Sequence, residues 1–234
     1  MHVTRPDLKD ESGTTIVELL VGISMGMIVL VGLTLTLVNV LHGTARVDAR
    51  VEATDNARVT VAGIMEQLHS ACVSPQIAPV QKGSTGTMLI FWHAAPGEAS
   101  AVQPTPVKSK IVLSGTTLTE YNYAKTAGNS PKLWEFEPET GGNKTILLSN
   151  VAAPSGTSSI FTYEKFEKGK QIAMTATELT TVPEIVIRVN LALTASPRNT
   201  PVADKSSAAT IEDGATLRLT PPSFNSEASA LPCQ

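Results

Sequence analysis

The residues of this chain that could do chemistry are few and far apart. Its histidines are His2, His42, His69 and His93, and none stands at metal-ligand spacing from Cys, Asp or Glu. The two cysteines, Cys72 and Cys233, form no Cys-x-x-Cys pair, which argues against zinc binding and redox catalysis. A hydrolase-type Gly-x-Ser-x-Gly is absent, as is a phosphate-cradling glycine loop ending in Lys-Ser or Lys-Thr. Glu135, Glu137 and Glu139 make a short carboxylate run, and Glu212-Asp213-Gly214 looks like a fragment of a calcium loop. Exposed loop carboxylates explain both more simply. Trp92 and Trp134 read as core residues rather than ligand platforms. No catalytic residue, metal, cofactor or small-molecule substrate is indicated.

One carboxylate has a setting that demands an explanation. Glu18 is the sole Asp, Glu, Lys or Arg between Gly13 and Gly43, and the next is Arg46. Leu19 to Leu41 is long enough to cross a bilayer, since about 20 apolar residues at 1.5 Å rise match a core of roughly 30 Å. A carboxylate at the start of such a segment costs on the order of 2.5–3.5 kcal/mol even on the gentler insertion scales. One reading has Glu18 at the membrane boundary, reaching into the headgroups. The other gives it a partner. Gly22 and Gly26 form a small-xxx-small pair, which can bring membrane helices close but is frequent in apolar segments by chance.

The residues preceding Glu18 favour the second reading. Residues 1–12 are short, polar and mixed in charge, and the following apolar run is longer than the usual 7–15 residues of a secretory signal core. The stretch Gly13-Thr14-Thr15-Ile16-Val17-Glu18-Leu19-Leu20-Val21 resembles the processing motif of type IV prepilins and pseudopilins. That resemblance implies a leader 1–13 removed by a membrane aspartyl prepilin peptidase, which cuts after Gly13 and methylates Thr14. It makes Glu18 the fifth mature residue, with an assembly role. The Glu18 carboxylate of one subunit meets the Thr14 amine of a neighbour within an apolar filament core, where pairing lowers the cost of burying either charge. Two departures from the pattern are Thr14, where the family usually has Phe, Met or Leu, and a leader less basic than usual.

Stepping along the chain, 14–43 reads as a transmembrane or filament-core helix and 44–74 as its amphipathic continuation. Ala53, Ala57, Val61, Ile64, Leu68 and Cys72 recur every three or four residues, while Arg50, Glu52, Asp55, Arg58 and Glu66 keep the rest polar. The helix is expected to stop at Ser74-Pro75, since proline disfavours helical backbone at the residue before it. A break near His42-Gly43 into two helices is the alternative. Residues 75–234 read as a β-rich head. Candidate strands are Thr87–His93, Lys110–Leu113, Thr116–Tyr123, Lys132–Phe136, Thr145–Leu148, Ile160–Tyr163, Glu184–Leu193 and Ala215–Leu219. Ser114-Gly115 is a candidate hairpin turn. Ile185, Ile187, Val189, Leu191 and Leu193 would share one face. Residues 94–106, 194–213 and 221–234 read as loops.

The expected fold class is therefore α+β, a long N-terminal helix with a mainly antiparallel β head, which is also what the pilin resemblance implies. The head looks most like the larger minor subunits, the W-type minor pilins and J-type pseudopilins. Formal net charge is -3 and aromatic content 4 %, with no clustering of aromatics among basic residues, so no nucleic-acid surface is read. Expected partners are other pilin or pseudopilin subunits, prepilin peptidase and the cytoplasmic membrane. The expected location is a single span with an extracytoplasmic head. In that compartment Cys72 and Cys233 could form a disulfide, or remain two thiols. The rival readings are an anchored β domain serving as a binding module, and an anchored enzyme.

Overall fold

The computed structural model describes residues 15–72, 78–95, 105–128, 133–198 and 208–217. The chain divides into two compact units, residues 1–47 and 48–234. Helix α1 spans Ile16–His69, 54 residues. It runs through His42 and Gly43 without a break, as a stretch free of proline allows. Within its first part the hydroxyls of Ser24, Thr34 and Thr36 donate to the carbonyls of Leu20, Leu30 and Gly32 at 2.8, 2.8 and 2.9 Å. Polar side chains satisfied on their own helix are compatible with an apolar surrounding.

The second unit holds two antiparallel sheets. In the first, β1 (Met88–Ala94), β2 (Pro106–Ser114) and β3 (Thr117–Ala127) are neighbours in that order. The far edge of β3 is shared by β4 (Glu135–Phe136) and β5 (Asn143–Ser149). The second sheet contains β6 (Val151–Ala152), β7 (Phe161–Glu167), β8 (Lys170–Ala173), β9 (Arg188–Ala195) and β10 (Ala209–Thr216). Its order is β10-β9-β7-β8, with β6 beside the end of β9. A short helix α2 (Ala176–Thr181) follows β8.

One core joins these pieces. Ala57, Val61, Ile64 and Leu68 of α1 are buried with Leu89, Phe91, Ile111 and Leu118 of the first sheet, and with Phe161, Val189, Leu191 and Leu193 of the second. The three-and-four spacing on the helix and the alternation on the strands thus meet in a single apolar volume. Met65, which the helical stripe did not include, is buried as well, while Ala53 is half-buried.

Several sequence expectations need correction. The helix stops at His69, not at Ser74-Pro75, because the following backbone joins the first sheet: the Cys72 N–H donates to the Trp92 carbonyl at 2.7 Å, and the Ala94 N–H to the Ser70 carbonyl at 3.1 Å. Ser74-Pro75 itself lies outside the described residues. The β2–β3 turn is Gly115-Thr116, one residue later than Ser114-Gly115, since Ser114 pairs with Thr117 and Gly115 takes the positive φ of 59°. The strand expected over Glu184–Leu193 begins only at Arg188, because Pro183–Ile185 is a 3₁₀ turn. Ile185 is consequently 38 % exposed while Val186 is fully buried, and the alternating face starts at Ile187 and runs on to Ala195. β8 and α2 were not anticipated, and β10 begins at Ala209, in sequence expected to be loop up to Asp213, and includes Ala215 and Thr216 of the strand expected over Ala215–Leu219. Leu219, Lys132 and the stretches 96–104 and 221–234 fall outside the described residues.

The core assignment makes a direct prediction. Leu68→Ala should destabilise the second unit by about 3 kcal/mol, through lost burial plus a residual cavity. Val59→Ala, on an exposed part of the same helix, should change stability by less than about 0.5 kcal/mol. Denaturant unfolding of the detergent-solubilised chain measures both.

Candidate assembly site

Every residue from Ile16 to Val47 is exposed within the chain. The segment is long and apolar enough to cross a membrane by length and composition. Glu18 stands in the first turn of this helix, whose start is fixed by Thr15: the Glu18 N–H donates to Thr15 Oγ1 at 3.3 Å and the Leu19 N–H to the Thr15 carbonyl at 3.1 Å. Thr15 is therefore the N-cap and Glu18 the third helical residue. The Thr-x-x-Glu spacing that announces such a cap was present in the sequence and is the signal that would have located it. The Glu18 carboxylate has no hydrogen bond or ion pair among the described residues. Gly13 and Thr14 lie outside the described residues, so of the stretch Gly13 to Val21 the structure describes Thr15 to Val21. Gly22 and Gly26 are both open to a close neighbour, with nothing within 4 Å of a Cβ built on either.

The other candidate groups are structural. Glu139 pairs with Lys110 at 3.1 Å, which holds its carboxyl below the usual range. Glu137 accepts the Ala124 N–H at 3.3 Å, and Glu135 is exposed in β4. The carboxylate run is thus dispersed. Glu212-Asp213-Gly214 lies within β10, paired to β9, rather than in a loop. No group of three or more His, Cys, Asp or Glu able to hold a metal ion occurs among the described residues. Trp92 and Trp134 are half-buried, with ring centroids 5.6 Å apart, and pack with Ala94 against the fully buried Cys72. Cys233 lies outside the described residues.

One polar cluster in the head escaped the sequence reading. His93 Nδ1 donates to the Ala94 carbonyl at 2.7 Å, and Nε2 lies 2.7 Å from Ser109 Oγ. The Ser109 hydroxyl donates to Asn122 Oδ1. A serine and a histidine at that distance could form a nucleophile and its base. Here His93 is 2 % exposed and Ser109 0 %, so no substrate reaches them. Burial pushes the imidazole down to about 4 from 6.5, with the Ala94 carbonyl acting in the opposite sense. The cluster is a neutral, buried polar node spanning β1, β2 and β3.

No protein-family model and no curated protein matches the chain. Among solved structures, a chain from the GspK-GspI-GspJ complex of the type 2 secretion system of enterotoxigenic Escherichia coli is similar over 71 % of this chain and 97 % of that chain, with 9 % identity and a TM-score of 0.38. A likeness at that level decides neither family nor role, and the functional reading rests on this chain's own residues.

The neutral His93 has a measurable consequence. Between pH 6.5 and about 4 the unfolded chain takes up a proton that the folded chain refuses. Stability is fully present above the unfolded value and falls as the pH drops towards the folded one, by on the order of 3 kcal/mol in total. His93→Gln should flatten this part of the pH–stability curve, read by thermal unfolding at a series of pH values.

Proposed function

We propose that the chain is a structural subunit, of the minor type, of a type IV pilus or pseudopilus filament. Prepilin peptidase removes residues 1–13 after Gly13 and methylates Thr14. The single observation that carries this reading is the exposed first part of α1, residues 16–45, whose one charged side chain is Glu18 in the first turn, five residues beyond Gly13. Before assembly the apolar segment crosses the cytoplasmic membrane with the head on the extracytoplasmic side. In the filament it packs among the same segments of other subunits.

Glu18 supplies register. Once Gly13 is cut off, Thr14 carries an ammonium group, and the carboxylate of one subunit pairs with the ammonium of its neighbour. The pair fixes the stagger between subunits more than it adds net stability. Cys72, buried where the chain leaves α1 for the first sheet, pairs with Cys233 in the oxidising compartment and ties the chain's C-terminal end to this point.

The test is an intact mass with N-terminal sequencing of the membrane-extracted protein, with and without the peptidase. The expected product begins at Thr14 only when the peptidase is present, and its unreduced mass shows one disulfide. A chain that still begins at Met1, or that is cut near Ala45, overturns the reading. For the register role, Glu18→Leu should leave insertion and the unfolding temperature of the head unchanged. Incorporation into filaments should fall about a hundredfold or more, as expected when one partner of a buried pair is removed. Normal incorporation of the variant would refute the register role.

A further inference from the structure

The second sheet turns one face to the core and the other away from it. Strand alternation puts Thr162 and Glu164 of β7, Arg188 and Asn190 of β9, and Gly214 and Thr216 of β10 on the outward face. Among them is a cation without a partner. Arg188 makes no hydrogen bond and no ion pair among the described residues, and its Nε is a buried atom with no acceptor. The side chain as a whole is half-buried, so the Nη end of the guanidinium is the part that meets solvent.

Two neighbours account for this state. Glu164 stands directly across the strand pair from Arg188, where opposite charges ordinarily pair. Instead Glu164 Oε1 accepts the Asn190 side-chain amide at 2.7 Å, which takes up the nearest carboxylate. The second neighbour is Gly214. A Cβ built on it would come within 2.2 Å of Asn190 Oδ1 and 2.9 Å of both Arg188 Nε and Nη2. Glycine at this place lets both side chains lie against the β10 backbone.

A buried N–H without an acceptor is unfavourable, and a guanidinium with no anion beside it gains strongly from a carboxylate set against its fork. The surroundings suit a protein surface. Thr162, Gly214 and Thr216 are short, so no long side chain of theirs stands over the guanidinium. Phe166, on the same face two residues beyond Glu164, is 61 % exposed. Arginine and exposed aromatics are the side chains that anchor protein interfaces. We propose that the outward face of the second sheet docks another subunit of the filament, with Arg188 receiving an aspartate or glutamate of that subunit through its Nη groups. This rests on the reading of the chain as a filament subunit.

The experiment measures incorporation of the full chain into filaments for wild type, Arg188→Gln, Arg188→Glu and Gly214→Ala. A parallel sample carries a photo-reactive residue at the exposed Thr216, and its cross-linked peptide is sequenced. Arg188→Gln should leave the unfolding temperature of the detergent-solubilised chain unchanged, because the side chain has no internal partner to lose. Its incorporation should fall about thirtyfold or more, as when one side of an interfacial charge pair is removed. Gly214→Ala, whose Cβ displaces the guanidinium, should fall in the same direction. The cross-linked peptide should come from a neighbouring subunit and contain Asp or Glu, and replacing that residue by arginine should restore incorporation of Arg188→Glu.

Normal incorporation of Arg188→Gln overturns the proposal. So does a cross-link to lipid, to this chain's own residues, or to a neighbour's peptide without an acidic residue. A fall in incorporation that comes with a lower unfolding temperature makes Arg188 a residue of the head's own stability and also overturns it. If wild type itself does not enter filaments, the functional reading fails and takes this inference with it, and the wild-type sample separates that failure from the others.

Discussion

The rest of the molecule depends on where the apolar side chains of the first half of α1 can go. Eighteen large apolar residues between Ile16 and Leu41 are exposed, from Val38 at 41 % to Ile16 at 81 %. Returning even half of each to an apolar surrounding is worth about 1 kcal/mol per residue, so on the order of 20 kcal/mol overall. A whole domain is typically stable by about 5–15 kcal/mol. A surface of that size left in water would dominate the energetics of the chain. The helix can afford to be bare only because its backbone is satisfied internally and its few hydroxyls donate to their own carbonyls. Lipid or a bundle of like helices meets the requirement equally well.

The same helix meets a second environment along its length without a change of backbone. Up to Val47 no face is buried. From Ala57 to Leu68 one face is fully enclosed while Asp55, Arg58 and Glu66 stay exposed. The charges that begin at Arg46 mark the change, as an aqueous surface requires and a bilayer core forbids. The end of the helix is settled differently, by hydrogen bonds from residues 70–72 to β1. That junction also buries Cys72 beneath Trp92 and Trp134, so backbone pairing and apolar packing converge on the point where the helix stops.

How much of this was legible in the sequence follows from which forces are local. The absence of charge from 19 to 45 and the three-and-four stripe after it are properties of the helix alone, and they gave its existence, its continuity and its buried face. Strand cores with clear alternation, such as Val189, Leu191 and Leu193, were equally plain. The end of the helix was not, because backbone pairing with β1 overrode the proline signal six residues further on. β10 and β8 carry little pattern of their own: Ala209 to Thr216 mixes small and charged residues, and Lys170 to Ala173 is an exposed edge held by β7. The His93 node could not be read at all, since Ser109 and Asn122 come from two other strands. The caps at Thr15 and Thr175 both carry the Thr-x-x-Glu signal, the first inside a segment read for other features and the second in sequence to which no element was assigned.

The Thr-x-x-Glu segments that open α1 and α2, Thr15 to Glu18 and Thr175 to Glu178, differ in what their carboxylates do. At Glu178 both carboxylate oxygens are used: Oε2 accepts the Thr175 N–H at 2.9 Å, and Oε1 lies 2.6 Å from Lys165 Nζ. The Lys165 hydrogen bond, with help from Thr175, holds that carboxyl down at about 2, so it is an anion committed to its own fold. At Glu18 the cap uses the backbone N–H and leaves the carboxylate without an internal partner among the described residues. No lysine or arginine follows for nearly eight helical turns, so no cation on the same helix can reach it. A carboxylate placed this way in an apolar surrounding is either a liability or half of a pair whose other half lies outside this helix.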